Sequence, residues 1–425
     1  MPLTILSIVL FTKINRPLST ILLLYFPQKH QIKKKYVFFV PFIILVSMTL
    51  GLIFAVGQRL FRPVKRIRVG RLHSGRLGHL ILEFDWYATS RNMGNKSEDT
   101  IDFFYFSEAP CNEFASKFIS ENLNMLPKFV MLWAYLINRL AKADQYLVPL
   151  PTRPNNLTIF DDSPSNFKFS PEQVRRAHDD LRKLGARDLD RLICVYVRDG
   201  AYESTLKNVS REFSSYRNSK FSNYELAIRE MIANGYTVVR MGNVVSHRFS
   251  YEDLRFIDYA NSNYKSDLLD FYIPSIAKFI IGTDSGTMML PIAFRKPFAL
   301  PNIPALHGLP VTKYLKFYQF KDWVDSRSGQ EIGLQEYVNR GCVLMDSLSE
   351  FSAACVSFKE NSPEEILALF KVMERYFANS DKYSYSRSEH NHLVAYLSPL
   401  LKGYVSAILI QSWLDARPYF IRLQY

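Results

Sequence analysis

Residues 279–301, FIIGTDSGTMMLPIAFRKPFALP, constrain the fold of this chain more than any other stretch. Phe279, Ile280 and Ile281 read as a buried strand, residues 282–286 as a tight loop, and a helix is expected from about Thr287. A second strand should follow Pro297. Gly282 and Gly286 let a backbone turn without a Cβ penalty, and Asp284, Ser285 and Thr287 are residue types that cap helix N–H groups. A helix start of this kind attracts anions. A strand ending in such a loop puts those amides at the carboxyl end of a parallel sheet, where open α/β folds bind ligands. Two uses of the loop stay open on local grounds: anion binding, or plain capping of one βαβ turn.

The chain on either side alternates as a parallel sheet requires. Residues 192–197, LICVYV, form a strand that runs into Arg198-Asp199-Gly200. A helix over 224–233 closes at Asn234-Gly235; strands at 237–241 and 256–259 and a helix over 267–277 lead to the opening segment. Upstream, a strand over 66–72 enters the loop His73-Ser74-Gly75-Arg76-Leu77-Gly78-His79, and an amphipathic stretch over 80–87 follows. A strand at 101–106, helices at 112–122 and 129–140, and a third strand at 146–150 complete that half. The loop glycines are not spaced GxGxxG, so nothing supports a dinucleotide.

Five prolines between 149 and 171 mark a crossover and a domain boundary. Ser170-Pro171-Glu172-Gln173 then starts a helix that reaches about 184 and ends at Gly185, and Ser362-Pro363-Glu364-Glu365 starts another to about 377. From Pro301 to Trp323 the sequence reads as aromatic and loop-rich.

Charge bears on partners. The net +13 admits nucleic acid, an anionic membrane or phosphorylated substrates. Much of the excess lies between residues 29 and 71, flanking the uncharged run YVFFVPFIILVSMTLGLIFAV at 36–56. That run is long enough to span a bilayer, so a membrane anchor facing anionic lipid is expected and nucleic acid is not; a partly inserted helix is the alternative. The apolar runs at 3–11 and 18–26 are each too short to span. Cys111, Cys194, Cys342 and Cys355 lack CxxC spacing and read as reduced core residues, which favours a cytosolic catalytic part.

Residues 284–297, DSGTMMLPIAFRKP, resemble the DSGPMHLAAALGKP segment of the heptosyltransferase-like glycosyltransferases, and more closely a bacterial glycosyltransferase family of surface-polysaccharide pathways, lipopolysaccharide among them. Asp284, Ser285, Gly286, Met288, Leu290, Ala293, Lys296 and Pro297 coincide with that pattern; Met289 replaces His, Pro291 replaces Ala and Arg295 replaces Gly. The resemblance implies an α/β chain of two Rossmann-like domains, the GT-B arrangement, here behind an N-terminal membrane-anchor segment. The expected division is 1–60 for the apolar segment, 64–165 for an acceptor domain, 166–378 for a nucleotide-sugar domain and 379–425 for a C-terminal helical segment, whose apolar run at 393–413 would cross back over the first domain. The implied reaction moves a hexosyl or heptosyl group from a nucleotide sugar to a lipid-linked or polysaccharide acceptor, with neither metal nor other cofactor.

The resemblance also assigns residues. Where the heptosyltransferases have SxxGD after the first strand, this chain has Ser74-Gly75-Arg76-Leu77-Gly78-His79, which puts His79 at the position of the base, with Ser74, Arg76 and Gly78 in the acceptor loop. Neutral imidazole is competent for that role near pH 7. Arg198, together with the amides of Ser285, Gly286 and Thr287, would hold the donor diphosphate, although Asp199 is equally placed to hold Arg198 as an ion pair. Arg217 and Arg240 recur in the resembling pattern, which implies donor binding, although the sequence alone reads them as solvated or structural; Asp284 is expected to organise its loop or touch the ribose or sugar. Asp161-Asp162 is a poor match to a metal-dependent transferase, lying in a proline-rich crossover. Rival expectations are fucosyl or pyruvyl transfer on the same scaffold, or a non-catalytic membrane-tethered glycan-binding or scaffold protein.

Overall fold

A computed structural model describes residues 40–378, apart from 95–98, 152–156, 206–212, 247, 250, 252, 307–309, 311 and 313, and also residues 419–420. The apolar runs expected at 3–11, 18–26 and 393–413, and residues 36–39 of the anchor, lie outside the described residues. The described chain divides into two compact units. One comprises the residues up to Phe84 and Arg91–Leu150; the other comprises Asp85–Ser90 and the residues from Pro151 onward.

In the first unit, β1 (Arg66–Leu72) and β2 (Thr100–Phe106) pair in parallel along their whole length. A Cβ on Gly70 would come within 2.3 Å of the Phe104 ring, so only glycine lets the two strands close here. The third strand expected at 146–150 is instead a short 3-10 turn, Asp144–Tyr146, followed by one parallel bridge between Leu147 and Val69. Val69, Tyr105, Met131, Leu132 and Ala134 form the core of this unit. The last three come from α4 (Lys128–Leu140), which follows α2 (Leu77–Asn92) and α3 (Glu113–Asn122), the latter capped by Asn112.

Helix α1 (Val40–Leu60) covers α4. Its 21 residues reach about 31 Å, enough to cross a membrane. Yet Ser47, Gly51, Ala55 and Gln58, spaced three or four apart, form a face turned inward. A Cβ on Gly51 would sit 2.4 Å from Trp133 Cβ, and Gln58 donates to the carbonyls of Ile67 (2.9 Å) and Tyr146 (3.3 Å) while accepting from Asn138 Nδ2 (2.7 Å). Phe42, Leu45 and Ile53 on the other face are exposed.

The second helix departs from expectation. Leu80 to Asp85 are buried in succession rather than on one stripe, so α2 is enclosed and not amphipathic. Burial of its two carboxylates is tolerated because each has a cationic or donor partner: Glu83 meets His73, and Asp85 meets Arg295 and Asn166.

The second unit is built on a parallel sheet. Its strands are β3 (Leu192–Tyr196), β4 (Thr237–Met241), β5 (Phe256–Ile257), β6 (Ile280–Gly282), β7 (Phe298–Ile303) and β8 (Leu315–Phe320), joined at the edge by Tyr419–Phe420. The order from that edge inward is β8-β7-β6-β3-β4-β5, every neighbour parallel. Starting from β3, the chain steps outward through β4 and β5, then returns to the other side of β3 with β6; this is the doubly wound order, with its switch point between β3 and β6. Ile193, Val195, Val238, Ile281, Ala299 and Phe317 form the sheet side of the core, against α6 (Glu225–Ala233) and α11 (Pro363–Ala378).

Local signals account for many of these boundaries. Ser170 and Gln173 close a capping box at the start of α5 (Pro171–Lys183), and Ser362 and Glu365 exchange the same pair of bonds. Gly185 and Gly235 end their helices at φ of +93° and +87°. Only Phe256–Ile257 of the strand expected at 256–259 is extended, with a 3-10 turn from Tyr259. The loop expected after Pro301 is largely ordered as strand: β7 runs on to Ile303, then come β8 and β9 (Asp322–Asp325), the last pairing antiparallel with β10 (Val356–Lys359). Its aromatics explain this, since Trp323 stacks on Tyr337 at 4.0 Å in a second small core.

Candidate active site

The loops at the switch point of the second unit gather most of the donor-binding candidates. The strand β3 ends at Tyr196, and the backbone N–H of Arg198 then donates to Thr283 Oγ1 at 2.8 Å, tying the loop after β3 to the loop after β6. Thr283 N–H in turn donates to Tyr196 O (3.0 Å). The Arg198 guanidinium donates to Asn218 Oδ1 (3.0 Å) and Ser214 Oγ (2.7 Å), while Asp199 accepts the amides of Ala201 (3.0 Å) and Ser246 (2.6 Å). Asp199 therefore organises this turn and does not hold Arg198 as an ion pair.

Arg217 and Asp284 meet. Nη2 donates to Oδ1 (2.9 Å) and to the Asp284 carbonyl (3.0 Å); Nε lies 2.8 Å from Oδ2, close as an ion pair but poorly angled for a hydrogen bond. Neither Ser285 nor Thr287 caps the following turn with its side chain. Their hydroxyls bond each other at 2.6 Å, and the chain goes through a 3-10 turn (Gly286–Met288) into the short α8 (Met289–Ala293). Gly282 and Gly286 do not sit at positive φ. Gly282 is needed for space instead: a Cβ there would meet Met288 Cε at 2.6 Å and Tyr196 Cβ at 3.0 Å.

Arg240 stands apart from this group. Its side chain is 3% exposed, lies 3.9 Å from the Phe221 ring centroid and pairs with Asp258 at 3.4 Å. Burial pulls its pKa down, with Asp258 and Asp199 opposing. A residue held this way supports the sheet end from below. Lys321 had no signal in the sequence, yet its buried ammonium donates to the carbonyls of Tyr216 (3.2 Å) and Asn218 (2.5 Å), clamping the segment that carries Arg217. Burial lowers it to about 8; Glu360 opposes that shift and Arg198 adds to it.

In the first unit the loop after β1 is held by carboxylates that sequence reasoning missed. Ser74 is buried, its Oγ donating to Glu108 O (2.5 Å) and accepting from Glu108 N–H (3.1 Å). A Cβ on Gly75 would come within 3.1 Å of Glu108 Cβ. Glu108 also takes a bond from Ser107 Oγ and faces Arg71 at 3.8 Å. Gly78 is buried and Arg76 exposed. His79 lies half-buried with its ring centroid 5.7 Å from that of His73, and no hydrogen bond to its ring is found among the described residues. Burial lowers its pKa; Glu83 and Glu108 oppose, His73 and Arg76 add to the shift.

Two hollows of about 440 and 680 Å³ lie away from these loops. The larger is lined by Lys278, Lys296 and Pro297, which lead into β6 and β7, and so opens at the amino ends of the strands. Among the described residues no group of three His, Cys, Asp or Glu side chains is arranged to hold a metal ion, and Asp161 Oδ1 accepts from Thr312 Oγ1 at 2.8 Å.

No protein-family model matches the chain, and no curated protein does. Among solved structures the chain is similar to E. coli ADP-heptose LPS heptosyltransferase II, at 12% identity over 68% of this chain and 98% of that one, with a TM-score of 0.35. It is also similar to a glycosyl transferase family 9 protein from Veillonella parvula, at 12% identity over 57% of this chain and 82% of that one, with a TM-score of 0.34.

Proposed function

We propose that this chain is a glycosyltransferase moving a hexosyl or heptosyl group from a nucleotide-sugar donor to the hydroxyl of a lipid-linked or polysaccharide acceptor. The observation that carries this reading is the switch point of the second unit. Two arginines of the loop after β3, Arg198 and Arg217, lie against Thr283 and Asp284 of the loop after β6, at the carboxyl ends of a doubly wound sheet. Open sheets of this order bind nucleotides there. Glycosyl transfer expels a diphosphate, and guanidinium groups together with the first-turn amides of Ser285, Gly286 and Thr287 suit its developing charge without a metal. Arg240, buried on Phe221, supports that floor and does not touch the donor.

A second part of the reading concerns location. Helix α1 shows exposed Phe42, Leu45 and Ile53, carries Arg59 in its last turn and is followed by Arg62, Lys65 and Arg66. Apolar side chains beside cations fit an anionic lipid surface on the cytoplasmic side, where a lipid-linked acceptor is presented. Because its opposite face packs on α4, the helix suits partial insertion beside the first unit better than a free span.

The test is turnover. Purified full-length protein incubated with ADP-, UDP- and GDP-linked sugars and a membrane glycolipid extract should release one nucleoside diphosphate in proportion to glycosylated product. Release from none of the donors, or binding of phosphoenolpyruvate in their place, would overturn the reading.

A further inference from the structure

The loop after β1 contains a histidine and carboxylate pair that the sequence pattern does not mark. Glu83, on α2, is 1% exposed and gives both oxygens to one residue: Oε2 accepts the backbone N–H of His73 at 2.7 Å and Oε1 lies 2.5 Å from His73 Nδ1. The His73 side chain is itself 39% exposed, and its Nε2 has no hydrogen-bond partner among the described residues. The loop is also fixed just beyond it, since Ser74 is clipped to Glu108 by two bonds.

These contacts determine a tautomer. A carboxylate at Nδ1 can only accept, so in the neutral ring the proton sits on Nδ1 and the lone pair on Nε2. A base whose far nitrogen is held by a third group, with its near nitrogen open to a reactant, is the arrangement that recurs wherever imidazole takes a proton from a hydroxyl. His79 lacks it. Its ring has no hydrogen-bond partner among the described residues, and burial, with His73 and Arg76 adding, lowers its pKa. Other charges near the two rings are Arg76 and Glu108, with Arg71 beside Glu108.

We propose that His73, oriented by Glu83, is the catalytic base, and that His79, in the first turn of α2, is its neighbour. The assignment rests on the glycosyl-transfer reading. Nε2 takes the acceptor hydroxyl's proton as that oxygen bonds to the anomeric carbon; the bond from that carbon to the donor's phosphate oxygen breaks, and the diphosphate leaves with the electron pair. The carboxylate of Glu83 stabilises the resulting imidazolium, which returns its proton to solvent. Glu83 is thus a positioning residue.

Three variants of the full chain and one spectrum test this. His73→Gln, which keeps an amide donor for Glu83, should lower kcat by about 10² to 10⁴-fold with little change in melting temperature; His79→Ala should stay within about tenfold of the parent. In ¹⁵N spectra of histidine-labelled protein, assigned by comparison with His73→Gln, His73 should show a protonated Nδ1 and a bare Nε2, and Glu83→Gln should mix the tautomers while lowering kcat. Parent-like turnover by His73→Gln overturns the base assignment and leaves glycosyl transfer standing. A protonated Nε2 in the neutral ring overturns the orientation even without an assay. An inactive parent with the expected tautomer counts against glycosyl transfer alone.

Discussion

Arg217 holds Asp284 by side chain and backbone at once, Nη2 donating to both Oδ1 and the main-chain carbonyl. A loop that carries Ser285, Gly286 and Thr287 is thereby fixed to the segment that Lys321 clamps from beneath. Asp284→Asn keeps the shape and removes the charge. Each partner is about a quarter exposed, so the expected loss of stability is modest, about 1 to 2 kcal/mol in urea unfolding, discounted from the larger penalty of breaking a buried pair. Stabilisation by nucleoside diphosphate should fall further than stability does.

Arg295 makes a stronger case. It adopts φ of +57°, a left-handed conformation that suits glycine, and glycine is what the resembling pattern has at this position. The strain is outweighed by what the side chain reaches: Asp85 Oδ2 at 2.6 Å, Ser163 O at 3.0 Å, and the Phe160 ring at 4.6 Å. Burial raises the pKa of Asp85 and the Arg295 guanidinium opposes that shift. Arg295→Ala should lower stability by about 3 to 5 kcal/mol by stranding a buried carboxylate. Adding Asp85→Asn should restore part of the loss, and additive effects in that double-mutant cycle would contradict the coupling.

Asp270 supplies a pH dependence. Burial, with the Asp267 charge adding and Tyr259 and Lys265 opposing, raises its carboxyl to about 6. The folded state therefore binds more protons than the unfolded chain between the ordinary carboxylate range and pH 6, and this contribution to stability is present in acid and lost as pH rises through 6. Asp270→Asn, which still accepts from Tyr259, should gain on the parent by about 2 kcal/mol between pH 4 and pH 8. Parallel stability curves for the two proteins would count against the assignment.

Gly282 is a packing test. Alanine there forces Met288 or Tyr196 aside, at about 1 to 3 kcal/mol, and because both neighbours border the switch point, nucleotide affinity should drop with it. Calorimetry of Gly282→Ala reads both quantities.

The two faces of α1 separate binding from folding. Leu45→Glu with Ile53→Glu, both on the exposed face, should abolish co-sedimentation with phosphatidylglycerol vesicles at an unchanged melting temperature. Gly51→Leu should do the reverse, because its neighbour is Trp133. Loss of vesicle binding only in Gly51→Leu would contradict the lipid assignment.

What could be read from the sequence follows physical range. Strands such as Leu192–Tyr196 and the capping boxes at Ser170 and Ser362 are local, written within a few neighbouring residues, and they appear where expected. The enclosure of α2 was not legible, because the helix carries Glu83 and Asp85 among its apolar residues and only distant chain, Arg295 for Asp85, makes their burial tolerable. His73 and Glu83 are ten residues apart with a loop and a helix start between them, so no spacing rule joins them. Lys321 lies more than a hundred residues along the chain from Tyr216 and Asn218. Of the donor candidates, the structure brings Arg198, Arg217, Asp284 and the 285–287 turn to one sheet end and leaves Arg240 in the core, a distinction that basic letters alone do not carry.

The central claim is that the switch point holds a nucleoside diphosphate, and thermal unfolding of the full chain with ADP, UDP and GDP tests it most directly. One of them should raise the melting temperature, equivalent to about 2.7 kcal/mol at a hundredfold excess over Kd, and Arg198→Ala should remove that increment. If millimolar concentrations of all three leave the unfolding curve where it was, the claim is contradicted.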